Sequence, residues 1–321
     1  MHEYNIREIA SGLGFIEAPV ALEDGRVLVV DVKGGTILSI DPSSGKVSNF
    51  ARTGGGPNGM ALGPDGALYL CNNGGLAFTK TPEGFHFPLG DGTPPPDPST
   101  PGIQRVDTSG RVSDLYVECA GHPLVAPNDL VFDDNGGFYF TDLGHPHGRL
   151  CDLGGLYYAK ADGSSIIELI HEVGPATPLT QPNGVSLSPR GDRVYAAETV
   201  TGRIWGWAIE RPGVIGPMPE PHSFNGGRLM FGYGEYSLFD SMAVDGEGYI
   251  CVATLLKGGI TVIKPQGGLE TFIPLPERDP FVTNICFGGP DLRTAYVTAA
   301  GRGKLWAMDW PRRGLRLNYA A

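Results

Sequence analysis

Six stretches of this chain open on a side chain that carries oxygen. They start at Glu17 (EAPVALEDGRVLVVD), Asn58 (NGMALGPDGALYLCN), Asn128 (NDLVFDDNGGFYFTD), Asn183 (NGVSLSPRGDRVYAAE), Asp240 (DSMAVDGEGYICVAT) and, in a weaker copy, Asn284 (NICFGGPDLRTAYVTA). Two are carboxylates and four are carboxamides, and none is His or Cys. Brought to one point, such a set is an all-oxygen site. Hard cations take oxygen ligands, whereas zinc prefers His and Cys, so a divalent metal ion is expected with Ca2+ first and Zn2+, Mn2+ or Mg2+ behind it. Two ligand charges would neutralise the ion. Asn and Asp are also common where loops enter strands, because they satisfy local backbone groups. Glu17 is less easily explained that way, since Glu is a poor turn former.

The elements around these residues repeat too. Gly stands eight residues after each of the first five openings, at Gly25, Gly66, Gly136, Gly191 and Gly248, and Leu292 takes that place in the sixth. Each opening reads as strand, tight turn, strand. A second hairpin usually follows, as in residues 35–51, 102–117 and 155–170. Successive openings lie 41, 70, 55, 57 and 44 residues apart, room for four strands plus loops. Four antiparallel strands repeated six times predict an all-β, six-bladed β-propeller, one domain over residues 1–321. The N-terminal YNIREIA is the expected closing strand of the last blade, covering an otherwise open sheet edge.

A propeller turns position along the chain into position around an axis. Strands alternate in direction, so the six openings should ring the mouth of the central channel. Positions about fourteen residues further on, Asp31, Asn72, Asp142, Glu198 and Thr254, should form a second ring on the same face.

Bulk properties narrow the partners. The 321 residues carry a net charge of −11, which disfavours nucleic acid. No run of about 18 apolar residues occurs, so no membrane span is expected. The start lacks a secretory pattern. The five cysteines (Cys71, Cys119, Cys151, Cys251, Cys286) are scattered without a CxxC pair, which predicts neither a disulfide framework nor a zinc knuckle. A cytoplasmic protein, monomeric or a small homo-oligomer, acting on a small molecule, fits these features.

Several phrases resemble one family. PNDLVFDDNGGFYFTD (127–142), QPNGVSLSPRGDRVYAAET (181–199), FDSMAVDGEGYICVA (239–253) and TNICFGGPDLRTAYVTAA (283–300) are similar to segments of the SMP-30/gluconolactonase/LRE-like family, and IEAPVA is similar to its Glu-Gly-Pro opening with Ala18 in place of Gly. The resemblance spans nearly the whole chain. It implies a six-bladed, calcium-dependent lactonase, and it implies metal ligands at Glu17, Asn128, Asn183 and Asp240. It further implies that Asp240 is the catalytic base or nucleophile. Asn58 and Asn284 match no ligand of the family and are read as lining residues.

The expected reaction is opening of a lactone to its hydroxy acid, the metal polarising the carbonyl and Asp240 assisting attack. Asn128, Asn58, Asn72, Asp142, His145, Arg149 and Phe85 are the expected substrate contacts. Phe85 belongs to a long insertion at 74–101, placed where a lid would attach. His145 and Arg149 lie in the loop 144–155. An ester or organophosphate hydrolase at the same site, or a propeller with a purely structural cation, are the competing readings. A strictosidine-synthase-like relative would lack this set of oxygen ligands.

Overall fold

A computed structural model describes residues 4–89, 93–147, 149–170, 179–223 and 226–319. Its regular elements are strands, and these form the expected six-bladed β-propeller. The innermost strands are Ile16–Ala21, Pro57–Leu62, Pro127–Phe132, Pro182–Leu187, Leu238–Val244 and Val282–Gly288. Each pairs antiparallel with the strand that follows it. In the fourth blade two short segments, Val214–Gly216 and Arg228–Gly232, share the outer edge of Arg203–Arg211. Arg7–Ala10 pairs with Lys304–Asp309 and completes the sixth blade, so the two ends of the chain close the ring.

The repeat has a backbone cause. The residues eight after each opening turn with positive φ: 88° at Gly25, 72° at Gly66, 73° at Gly136, 65° at Gly191 and 87° at Gly248. Leu292, the departure from the repeat, adopts φ 56° all the same. Left-handed backbone costs a non-glycine residue roughly 1–2 kcal/mol, so the ring tolerates that strain in its weakest copy. Between blades the core is apolar and aromatic. Trp207, Tyr69, Tyr139, Tyr158, Phe138 and Phe140 are fully buried side chains on the facing sheets.

Every inner strand carries an irregularity near its start. The pairing register shifts between Glu17 and Val20, Pro57 and Met60, Pro127 and Leu130, Pro182 and Val185, Phe239 and Met242, and Val282 and Asn284. A bulge inserts unpaired residues and re-aims side chains. All six opening residues lie in these segments. That is how polar side chains leave the packed blade faces and reach the channel.

Candidate active site

Glu17 is 2% exposed, and its carboxylate accepts a hydrogen bond from Asn284 Nδ2 at 2.7 Å and another from the Ala18 amide. Asn183 bonds to Asp240 through its side chain, donates from Nδ2 to Thr199 Oγ1 at 3.1 Å, and accepts from Ser241 Oγ at 3.4 Å. Asp240 keeps partial exposure to the channel. Asn128 is buried. Two oxygens of this group, Glu17 Oε1 and Asn128 Oδ1, are buried without any hydrogen-bond partner. Buried oxygens left unbonded are costly, and cation-ligating oxygens are a standard reason for them.

A third carboxylate joins them. Asp129 is 7% exposed, its Oδ1 accepts from the Leu130 amide at 2.8 Å, and its side chain also bonds to Ser241. Strict alternation along a strand would turn Asp129 away from the face Asn128 presents, which is why the sequence pattern passed over it. The bulge between Pro127 and Leu130 breaks the alternation. The written phrase Pro-Asn-Asp was the available signal.

The three acids feel one another. Burial pushes the Glu17 carboxyl well above the usual range, and the charges of Asp240 and Asp129 push it further. Burial raises Asp240 to about 7, with the Asn183 bond pulling down and the Asp129 charge pushing up. Asp129 itself rises to about 7, again mainly by burial. The groups that shift these three are the acids themselves, Asn183, Asn284, Ser241 and backbone amides. Such a cluster is satisfied by shared protons or by a cation. Among the described residues no three of His, Cys, Asp and Glu are grouped so as to hold a metal alone. The amide oxygens of Asn128 and Asn183 must therefore complete any ligand set.

Close blade approach keeps the site tight. A Cβ at Gly184 would lie 2.7 Å from Ser241 Cα and 2.9 Å from the Asp240 carbonyl oxygen. Gly59 stands equally close to Asp129, its hypothetical Cβ 2.4 Å from the Asp129 Cα. Ring-plus-one glycines in blades two and four thus let the neighbouring strands slide in.

Three of the five residues expected in the second ring hold loops. Asn72 is wholly buried, accepts from the amides of Gly56 and Gly74 (both 3.0 Å) and from Ser99 Oγ (3.1 Å), and donates to Gly54 O and Gln104 Oε1. Asp142 accepts from the amides of Val125, Ala126 and Gly144 at 2.8, 2.8 and 3.0 Å. Glu198 similarly holds the Thr180 amide and the Trp205 indole. Each ends the second strand of its blade, paired with the residue just before the ring residue, as Pro127 pairs with Asp142. One strand further from the axis, these side chains brace loops. Asn72 and Asp142 thus spend their described hydrogen bonds on the scaffold.

Phe85 packs under an arginine. It is 5% exposed, and the Arg302 guanidinium lies 4.6 Å from its ring centre. The insertion forms a hairpin, Ala77–Lys80 against His86–Leu89, and the His86 amide bonds to Gly301 O at 2.7 Å. A hairpin from the second blade thus crosses the first and docks on the sixth. Phe85 anchors it. Phe78, Phe15, Phe281 and Phe87 form a chain of ring contacts 5.1, 5.5 and 5.7 Å apart on the same face. Asn58 is half-buried in the ring. His145 and Arg149 flank a short hairpin of the third blade, half-buried and exposed respectively, and residue 148 between them lies outside the described residues.

Residues 15–301 match the family model described as SMP-30/Gluconolactonase/LRE-like region. The chain belongs to this family. Among curated relatives, a gluconolactonase of Zymomonas mobilis is 26% identical, covering 92% of this chain and 79% of its own. Lactonase drp35 of Staphylococcus haemolyticus is 28% identical, covering 82% and 70%. Among solved structures, a Xanthomonas campestris gluconolactonase superposes with a TM-score of 0.71 at 21% identity, covering 95% and 89%. Regucalcin from Agrobacterium tumefaciens, described as a calcium-binding protein, gives 0.71 at 16%, covering 98% of each. Both confirm the fold. Within the SMP-30/gluconolactonase family's Glu-Gly-Pro opening, Ala18 now has a physical reading: its φ is 46°, a conformation that favours the glycine it replaces.

Proposed function

We propose that this protein is a lactonase that opens a small lactone, a sugar-acid or related lactone, with the help of a divalent cation, calcium first, held by Glu17, Asn128, Asn183 and Asp240. The lactonase class rests on the family and on relatives named gluconolactonase and lactonase. The observation that carries the metal is the buried carboxylate cluster with two unbonded oxygens, Glu17 Oε1 and Asn128 Oδ1.

Bound there, the cation supplies a Lewis acid beside the lactone carbonyl. The chain supplies the rest. Asp240, bonded to Asn183 and partly exposed, is the proposed general base. It takes a proton from the attacking water as the new carbon–oxygen bond forms. It returns that proton to the ring oxygen as the ester bond breaks, leaving a hydroxy acid. Asn183 orients Asp240 through their bond. Asn284 fixes the Glu17 carboxylate and so acts as a positioning residue. Asn58 and Asn128, on the ring, are the proposed contacts to substrate oxygens, with His145 and Arg149 at the rim. The aromatic chain under the lid excludes water from the mouth.

Among the described residues no helix is long and apolar enough to cross a membrane. All five cysteines are unpaired, which suits a reducing compartment. We propose a cytoplasmic enzyme, a monomer or small homo-oligomer.

The test is a lactone panel followed with a pH indicator. Chelator-treated protein should be inactive and should recover with calcium, or with zinc, manganese or magnesium in a different order. Asp240→Asn should still fold cooperatively and lose about 10²–10⁴-fold in kcat/KM. Full turnover by the Asn variant, or full turnover after chelation, would sink the mechanism.

A further inference from the structure

Beyond the carboxylate cluster the channel widens into a second cavity of about 590 Å3, a size typical of small-molecule sites. It is lined by the far halves of the six inner strands, so it opens toward the face opposite the lid. Val20, Leu62, Phe132, Val244, Ile285 and Phe287 give it apolar walls. Its inner end is the underside of the cluster, Asp129 and Asn284. Its outer end is a strap, Leu315–Asn318, near the C-terminus.

The strap is tied at both ends. Gly314 bridges to Asp245, and Arg312 pairs with the fully buried Asp245 carboxylate while stacking 4.0 Å over the Tyr249 ring. Asn318 Nδ2 donates to Phe132 O at 3.0 Å, and the Tyr319 hydroxyl accepts from the Gly136 amide at 3.0 Å. Between these anchors no backbone hydrogen bond holds residues 315–317 to another described residue. Leu317 is 41% exposed although it lines the cavity. Arg316 meets Glu23 only at 3.7 Å, with both side chains more than half exposed.

We propose that this chamber binds the alkyl chain of a carboxylate amphiphile, a medium-chain fatty acid, that enters past the strap and leaves its headgroup at Arg316. The chamber's wall is mixed, with more apolar than polar surface, and its apolar side chains would contact an alkyl chain along its length. The orientation follows from charge. Arg316 at the strap has only a loose acidic partner, so it is the cation available to a carboxylate. The chamber shares Asp129 and Asn284 with the underside of the cluster, but the proposal does not depend on the lactonase reading.

Calorimetric titration of the full chain with decanoate and butyrate tests it. Decanoate should bind more than about tenfold tighter, because only the longer chain fills the chamber. Leu317→Trp, which puts bulk on an exposed strap position, should weaken decanoate more than about tenfold with an unchanged unfolding midpoint. Arg316→Glu should weaken decanoate while leaving decanol unaffected. Equal affinity for the two acids, or undiminished decanoate binding by Leu317→Trp, would overturn the proposal. So would decanoate that competes with a lactone for turnover, since the chain would then lie in the upper mouth.

Discussion

A carboxamide reads the same in the sequence whether it holds a loop or faces a ligand; its partners in the fold tell them apart. Asn72 and Asn128 both follow the repeat, yet Asn72 spends both amide hydrogens and its oxygen on loops, while Asn128 Oδ1 is left bare. The contrast predicts opposite phenotypes. Asn72→Ala should destabilise the fold by at least about 2 kcal/mol, since several buried groups lose partners, with KM for the lactone little changed. Denaturant unfolding alongside steady-state kinetics reads both. Asn128→Ala should leave stability nearly intact and raise the calcium concentration needed for half-maximal activity, measured by titrating stripped protein.

Strand bulges and glycine contacts set the spacing of the ring. The bulge at each blade entry frees one side chain for the axis, and Gly184 lets the Asp240 strand come within contact of its neighbour. Gly184→Ala would push the Asp240–Ser241 backbone outward. Displacements near 1 Å at a reacting group cost about 10²-fold, so kcat/KM should fall by that order while the protein still folds. An unaltered kcat/KM would mean the blades have more slack than the packing indicates. The lid follows a similar logic. The tip of the 77–89 hairpin is held by Phe85 under Arg302.

For the whole molecule, the ring gathers three acids where water is scarce. Glu17, Asp129 and Asp240 have folded-state values raised above those of the unfolded chain, the latter two to about 7. Raised carboxyls favour the folded state when protonated. Their contribution is complete below the unfolded value near 4 and is lost as pH rises through about 7. The metal-free protein should therefore lose thermal stability between roughly pH 4 and 7. A divalent cation replaces the protons, so calcium should restore the midpoint above pH 7 and do little near pH 4. Differential scanning calorimetry across pH, with and without calcium, checks it; a midpoint indifferent to calcium at pH 8 would contradict the site.

Sequence alone determined the architecture, because six copies of strand–turn–strand leave few other ways to bury their apolar faces, and even Leu292 keeps the turn geometry of the glycines it departs from. It also determined which six side chains open the inner strands. Tertiary structure decided which oxygens meet. Alternation along an ideal strand predicts that Asp129 points away, and only the bulge reverses that; spacing predicts a second polar ring, and only the register shows Asn72, Asp142 and Glu198 turned into loops. The chamber behind the cluster was invisible beforehand, since its walls come from six strands far apart in the chain and its floor from the last few described residues. Local pattern fixes what each strand can offer, and long-range closure of the ring fixes where it is offered.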